Sequence, residues 1–392
     1  MKIKILALAI AGLFSSTNLY AAEPTNQELM VLLKKQQAQI NELQKKLGKT
    51  ADKVEQTDQK IEATVVAVEE NLTQTSNTRM GGYGELHYSD FKDDKAIDFH
   101  RFVLFFGHEF NDEVRFFSEL ELEHAFSADG EPGEVELEQA YVEMDLTDST
   151  SLKTGVFLVP VGIVNETHEP PTFYGVERNP VEKNIIPATW WEAGVGFNTR
   201  FDDGLSADFA IHSGLSVPTT GSNSFLIRSG RQKAAKANAD SLAYTARIKY
   251  TAIPGLELAA SFQLQDDVTQ GAVGADASLF TAHVIYNKAN FGIRALYASW
   301  DIDSTEAKAV GRNKQEGYYI EPSYKINEYF GLFARYNEWD NNAGDSLDTK
   351  KKQTNFGINY WPIEEVVFKF DVENRAGAEH GNGFNLGLGY QF

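Results

Sequence analysis

The sequence predicts an all-β transmembrane barrel of sixteen antiparallel strands, preceded by an N-terminal coiled-coil helix. Three observations predict it. Apolar and polar positions alternate with a period of two in sixteen successive segments of residues 79–392. The connectors between these segments alternate between tiny and long. After residue 22 no stretch approaches the ~18 consecutive apolar residues that a membrane-spanning helix needs.

The chain opens with Lys2 and Lys4, an apolar run over 5–14, and the small residues Ala21 and Ala22. This reads as a secretory signal peptide over 1–22, because the run is too short to span a bilayer. Cleavage after Ala21 and cleavage after Ala22 both fit. The chain has no cysteine, so no disulfide holds the exported fold together. The formal charge is −20, and it becomes −22 when Lys2 and Lys4 leave with the signal. An acidic balance of this size argues against nucleic acid as a partner.

Residues 23–78 are rich in Gln, Lys, Glu, Thr and Ala. Leu33, Ile40, Leu47, Val54, Ile61 and Val68 recur every seven residues. A sustained apolar heptad predicts a coiled coil, and its narrow stripe can be buried only against copies of itself. The companion positions Leu29, Gln36, Leu43, Thr50, Thr57 and Thr64 grow polar toward the C-terminal half, so the seam leaves the number of helices open.

From residue 79 the period changes to two. Strands are expected at 79–89, 97–110, 113–126, 134–146, 151–160, 190–201, 205–214, 241–251, 256–265, 278–287, 290–300, 317–326, 329–339, 353–361, 366–375 and 382–392. Many are about 10 residues long, enough to cross at a tilt near 45°. Leu256, Leu258, Ala260, Phe262 and Leu264 show one apolar face; Phe384, Leu386, Leu388, Tyr390 and Phe392 show another. Every second connector is tiny. The others include 161–189, 215–240, 266–277, 301–316 and 340–352. Short periplasmic turns and long outer loops are the pattern of outer-membrane barrels, and an even strand number puts both ends of the barrel at the periplasm. Only a closed barrel lets strands satisfy every backbone amide in lipid, and sixteen strands leave an aqueous channel.

The residues opposite the apolar face must line the lumen. On one wall these include Glu119, Glu121, Glu123 and Glu143; on the other, Arg247, Arg294, Arg335, Lys369 and Arg375. Strand two is apolar on both faces, so Arg101 fits either side. Acid on one wall and base on the other would set a transverse field; equally, these charges can pair with one another across a wet wall. The 29-residue connector 161–189 carries or adjoins Pro160, Pro170, Pro171, Pro180 and Pro187. A loop this long and stiff is expected to fold inward, with Glu166, His168, Glu169, Arg178, Glu182 and Lys183 at the narrowest point. A rigid lid and a subunit-contact loop are the alternatives. No spacing of His168 with Glu166 and Glu169 converges on a metal, and no metal or cofactor is expected. The basic groups Arg228, Arg231, Lys233 and Lys236, and Lys350 to Lys352, fall in outer loops. There they would draw anions to the mouth or meet phosphates of lipid head groups.

The ending Leu388-Gly389-Tyr390-Gln391-Phe392 resembles the C-terminal signal of outer-membrane porins, in which the last aromatic residue is read by the barrel-assembly machinery. The segments His168-Glu169-Pro170-Pro171-Thr172-Phe173-Tyr174-Gly175 and Trp190-Trp191-Glu192-Ala193-Gly194 are similar to sequences of the phosphate-selective porin O/P family. The coiled coil before the barrel resembles the DcaP-like trimeric porins of that group. The resemblance implies a homotrimer in the bacterial outer membrane, its stalk in the periplasm, in contact with membrane lipid and lipopolysaccharide. It also implies passive diffusion of small polar or charged solutes through a lumen narrowed by loop 161–189, with no enzymatic step. The family's phosphate selectivity goes with a constriction dominated by Lys and Arg, whereas this loop sets Arg178 and Lys183 among several acids. An outer-membrane barrel enzyme (a protease or phospholipase) and a trimeric adhesin are the competing expectations. No Ser/His/Asp grouping supports the first, and the barrel's share of the chain disfavours the second.

Overall fold

The computed structural model describes Met30 and residues 77–92, 94–126 and 130–392. The signal peptide and the heptad positions Leu33, Ile40, Leu47, Val54, Ile61 and Val68 lie outside the described residues.

Sixteen strands form one closed antiparallel barrel in which each pairs with its sequence neighbours and β1 pairs with β16. They are β1 (Thr78–Phe91), β2 (Asp94–Glu109), β3 (Val114–Glu123), β4 (Val135–Thr147), β5 (Thr150–Leu158), β6 (Trp191–Arg200), β7 (Leu205–His212) and β8 (Ala243–Tyr250). The second half comprises β9 (Leu256–Gln265), β10 (Asp276–Lys288), β11 (Phe291–Asp303), β12 (Lys314–Lys325), β13 (Phe330–Asp340), β14 (Lys351–Ile363), β15 (Val366–Gly377) and β16 (Gly381–Gln391). Every strand read from the period of two is present. The connectors between β1 and β2 and between β15 and β16 at the long-loop end are shorter than expected, because these strands pair almost to their tips.

The closing seam uses the chain's last residue. The Phe392 N–H donates to Gly82 O at 2.9 Å, and the Gly82 N–H donates to Phe392 O at 3.0 Å. The Phe392 ring stays outside, stacked near Phe102 and Tyr390.

Alternation sets the two faces. Leu258, Phe262, Phe280, Phe356, Phe368 and Leu386 are exposed on the outside, as a lipid-facing belt requires. Gln263, Asn337, Asn355, Asp371 and Asn385 are buried inside. Arg101 also points inward, where Nε donates to Glu85 at 2.5 Å. The inner face is not polar throughout. Leu279, Leu296, Ala298, Trp300, Ile302, Tyr319 and Trp339 on β10–β13 join apolar residues of three long connectors, including Val181, Ile185, Trp190, Phe225 and Val268, in one core inside the barrel.

Candidate functional site

That core exists because loop 159–190 turns into the barrel. Asn165 fastens its two ends: its side-chain amide donates to Val159 O at 2.7 Å and Trp190 O at 3.0 Å, and its carbonyl oxygen accepts the Trp190 N–H at 2.7 Å. Within the loop a short helix, α1 (Pro180–Asn184), starts at Asn179, whose side chain accepts the Glu182 N–H at 2.9 Å. Asn at the cap and Pro at the first helical position are the residues such a start favours.

Far from its ends the loop is stitched to the opposite wall. The Val176 N–H donates to Asp371 at 2.8 Å, Asn359 donates to Phe173 O at 3.3 Å, and Arg294 donates to Thr172 O at 2.9 Å. Gly389 on β16 makes room for it, since a Cβ there would lie 2.3 Å from Pro170 Cβ. The loop therefore crosses the lumen.

Of the six loop residues expected at the narrowest point, Arg178 and Lys183 line free space there. Two are corrected. Glu182 is fully buried and accepts the N–H groups of Ile163 and Val164 at 2.8 and 2.6 Å and the Tyr319 hydroxyl at 2.9 Å. Its oxygens hold the loop's fold and face no water. His168 is buried against β3 and β4, with Nε2 at 3.4 Å from Glu119 and 3.5 Å from Glu138. Burial disfavours its charge, but those two carboxylates outweigh burial and raise its pKa to about 10. Glu166 is paired with Arg247, and Glu169 is half-buried where the loop enters a 3-10 turn at Pro170–Thr172.

The wall charges largely satisfy one another. Glu119 accepts from Gln139 at 2.7 Å, and Glu121 lies 3.8 Å from Arg101. Glu143 accepts from Arg115 at 3.1 Å, and Arg247 donates to Asp208 at 2.8 Å. Arg375 pairs with Glu373 at 2.5 Å. Four of the expected wall cations grip the loop, Arg247 among them through Glu166. Arg335 donates to Glu177 O at 3.1 Å, Lys369 Nζ sits 3.6 Å from the Phe173 ring centre, and Arg294 makes the Thr172 bond above. Glu123 is half-buried beside Arg178.

Sequence reasoning missed the second inserted loop, 213–242. Arg228 donates to Lys183 O at 2.7 Å and Ala188 O at 2.9 Å, and Arg231 donates to Thr189 O at 2.6 Å. Arg178 donates to the Thr189 hydroxyl. Arg228 and Arg231 thus meet loop 159–190, not the outer mouth. Burial, with the like charges of Arg231 and Arg178, lowers the Arg228 pKa to about 9, which leaves it charged at neutral pH. Lys233 reaches β4, paired with Glu134 at 2.6 Å and with Glu136. The available signal was the apolar run Phe225-Leu226-Ile227, too greasy for an open loop.

Arg178, Lys183, Glu177, His100 and His124 border two adjoining cavities, one of about 470 Å³ between loop 159–190 and both β1–β3 and β13–β16, and one of about 280 Å³ between the two loops and β2–β4. Enclosure opposes the Glu177 charge, but its bond to His87 and the nearby Lys183 outweigh that and hold its pKa well below the usual carboxylate range. A third cavity of about 670 Å³ lies under the loop at the short-turn end, lined by Tyr174, Arg294, Lys325 and Trp361. Space thus remains on both sides of the loop, which is the layout of a narrowed aqueous channel.

Comparison with known proteins agrees. Residues 75–382 match the family model described as phosphate-selective porin O and P. An uncharacterized protein of Aquifex aeolicus is 32% identical over 327 residues, covering 74% of each chain. The barrel is similar to the anion-selective porin of Comamonas acidovorans, with TM-score 0.59 and 13% identity over 80% of this chain and 99% of that one. It is also similar to the outer-membrane channel DcaP of Acinetobacter baumannii, with TM-score 0.55 and 15% identity over 80% and 97%. An outside belt of apolar residues, a wet interior and this match over most of its length give one answer: the chain belongs to the phosphate-selective porin O and P family of outer-membrane porins.

Proposed function

We propose that loop 159–190, joined by loop 213–242, is the constriction of the pore and that it favours small anions. One observation carries the reading. Arg178, Lys183, Arg228 and Arg231 converge around Thr189, and none of the four is in an ion pair among the described residues. Three of the four acids facing them are engaged elsewhere, Glu136 with Lys233, Glu138 with His168 and Glu177 with His87, which leaves Glu123 alone against four cations. In a confined channel such charges act with less screening than at an open surface, where they fade over about 8 Å at physiological salt. The phosphate selectivity for which the family is described and the anion selectivity of the Comamonas porin point the same way.

Around this pore we place a homotrimer, with the segment 23–78 as a periplasmic coiled coil behind a cleaved signal peptide, and Phe392 as the residue read during assembly. Solutes pass by diffusion and are not chemically changed.

Reversal potential across a salt gradient tests the constriction. The parent should select anions. Arg178→Glu with Lys183→Glu should move selectivity toward cations. A cation-selective parent, or a double variant that matches it at low salt, sinks the reading.

A further inference from the structure

Two breaks in strand regularity bring two histidines onto one carboxylate inside the lumen. In β2, Arg101 pairs with Glu85 and Phe99 pairs with Leu86, so His100 is the extra residue of a bulge. Without the bulge, His100 and Arg101 would face opposite sides of the wall. At the end of β3, His124 adopts φ of +54° and its N–H donates to His100 O at 3.0 Å. A left-handed backbone at a non-glycine residue costs free energy and persists where the surroundings impose it.

The outcome is convergent. His100 Nδ1 lies 3.1 Å and His124 Nδ1 2.8 Å from the same oxygen of Asp98. The three side chains offer ligand atoms all within 4.8 Å of one another. A tetrahedral zinc with bonds of about 2.0–2.2 Å sets its ligand atoms roughly 3.3 Å apart, so a slight expansion would admit an ion. The side chains of His100, His124 and Asp98 are 22%, 32% and 31% exposed, all toward the 470 Å³ cavity, which leaves a coordination position open to lumen water. The site is also braced. His87 stacks on the His100 ring at 4.7 Å and is held by Glu177 at 2.8 Å and Glu85 at 3.2 Å.

We propose that Asp98, His100 and His124 form a binding site for a divalent first-row transition metal in the conducting lumen. Two imidazoles with one carboxylate suit zinc, nickel or copper; calcium and magnesium want more oxygen. A metal at Nδ1 requires each ring neutral with its proton on Nε2, and imidazolium cannot ligate, so binding weakens in acid.

Zinc chloride alone is the probe, on full-length protein in detergent and in planar bilayers. Isothermal titration should show about one zinc per chain, with affinity at least about tenfold weaker in His100→Ala/His124→Ala and in Asp98→Asn. In bilayers zinc should lower single-channel conductance of the parent, reversibly by chelator, and leave both variants unaffected. Heat-modifiable gel migration confirms that each variant is a folded barrel. Asp98→Asn keeps both rings and decides the matter if the double variant does not fold. No zinc binding by the parent, or equal binding by parent and variants, overturns the site. Binding without any change of current overturns its placement in the conducting path.

Discussion

Across β10–β13 the lumen-facing side chains include Leu279, Leu296, Trp300, Tyr319 and Trp339; across β1–β4 the corresponding positions hold Glu85, Arg101, Glu119, Glu121 and Glu138. One barrel thus has two inner walls. The apolar wall is where the inserted loops dock, because burying apolar area there is favourable at roughly 25 cal/mol per Å². The charged wall offers no such anchor. Covering it costs hydration unless each charge finds a partner, so its buried charges are paired, Arg101 with Glu85 and His168 with Glu119 and Glu138, and Lys233 bridges to Glu134. At the level of Arg178 and Lys183 the free space lies toward the charged side, away from what holds the loops.

The largest test of that contrast removes the anchor. Trp300 is fully buried, its Nε1 donates to Ile185 O at 2.8 Å, and its ring lies 6.1 Å from that of Trp190. Trp300→Ala should cost about 3–5 kcal/mol at the docked loop. The ladder on either side of position 300, to Leu279 and Gln315, is unaffected. The barrel should therefore insert but conduct more, with noisier open levels. Conductance equal to the parent's would show that the apolar wall does not position the loop.

A second test sharpens the difference between inside and outside. Leu258 is exposed on the outer face of β9, while Gln263 five residues on is fully buried inside. Leu258→Arg should destabilise the inserted barrel by about 2–4 kcal/mol if it sits near the bilayer midplane. Denaturant unfolding in vesicles measures this, and conductance of the folded fraction should stay at the parent level. Altered conductance without lost stability would mean that residue 258 does not face lipid.

The barrel was readable because alternation is imposed by strand geometry itself and repeats sixteen times. What the sequence hid lies where that period carries less information. On β11 the outward Ile293, Ala295 and Tyr297 and the inward Leu296, Ala298 and Trp300 are all apolar, so a reading with period two selects one face and overlooks the other. The bulges at His100 and at Glu138 put neighbouring residues on one side, which no alternating pattern predicts. Loop 159–190 announced itself through proline and length. The roles within it did not, because Glu182 and Lys183 are adjacent charges in one short helix, and only packing buries the first and leaves the second in the lumen.

The smallest effect expected is a pH dependence of the contact between loop and charged wall. His168 lies between Glu119 and Glu138, its Nδ1 is 3.2 Å from Asn165 O, and its own carbonyl accepts from Arg101 at 3.1 Å. Its folded pKa of about 10 stands above the ordinary 6.5, so the protonated ring helps hold the loop. That contribution is complete below about 6.5, declines as pH rises, and is gone above about 10. Single-channel conductance should therefore be flat below about pH 6.5 and rise gradually toward pH 10 as the loop loosens from β3 and β4. Lys183 faces the lumen, and losing its charge would shift reversal potential, a shift that would persist without His168. His168→Gln separates the two: it should abolish the conductance rise and spare any shift in reversal potential. A rise of equal size in His168→Gln would mean that the loop is held at the charged wall by Arg101 and Lys233 without help from the imidazolium.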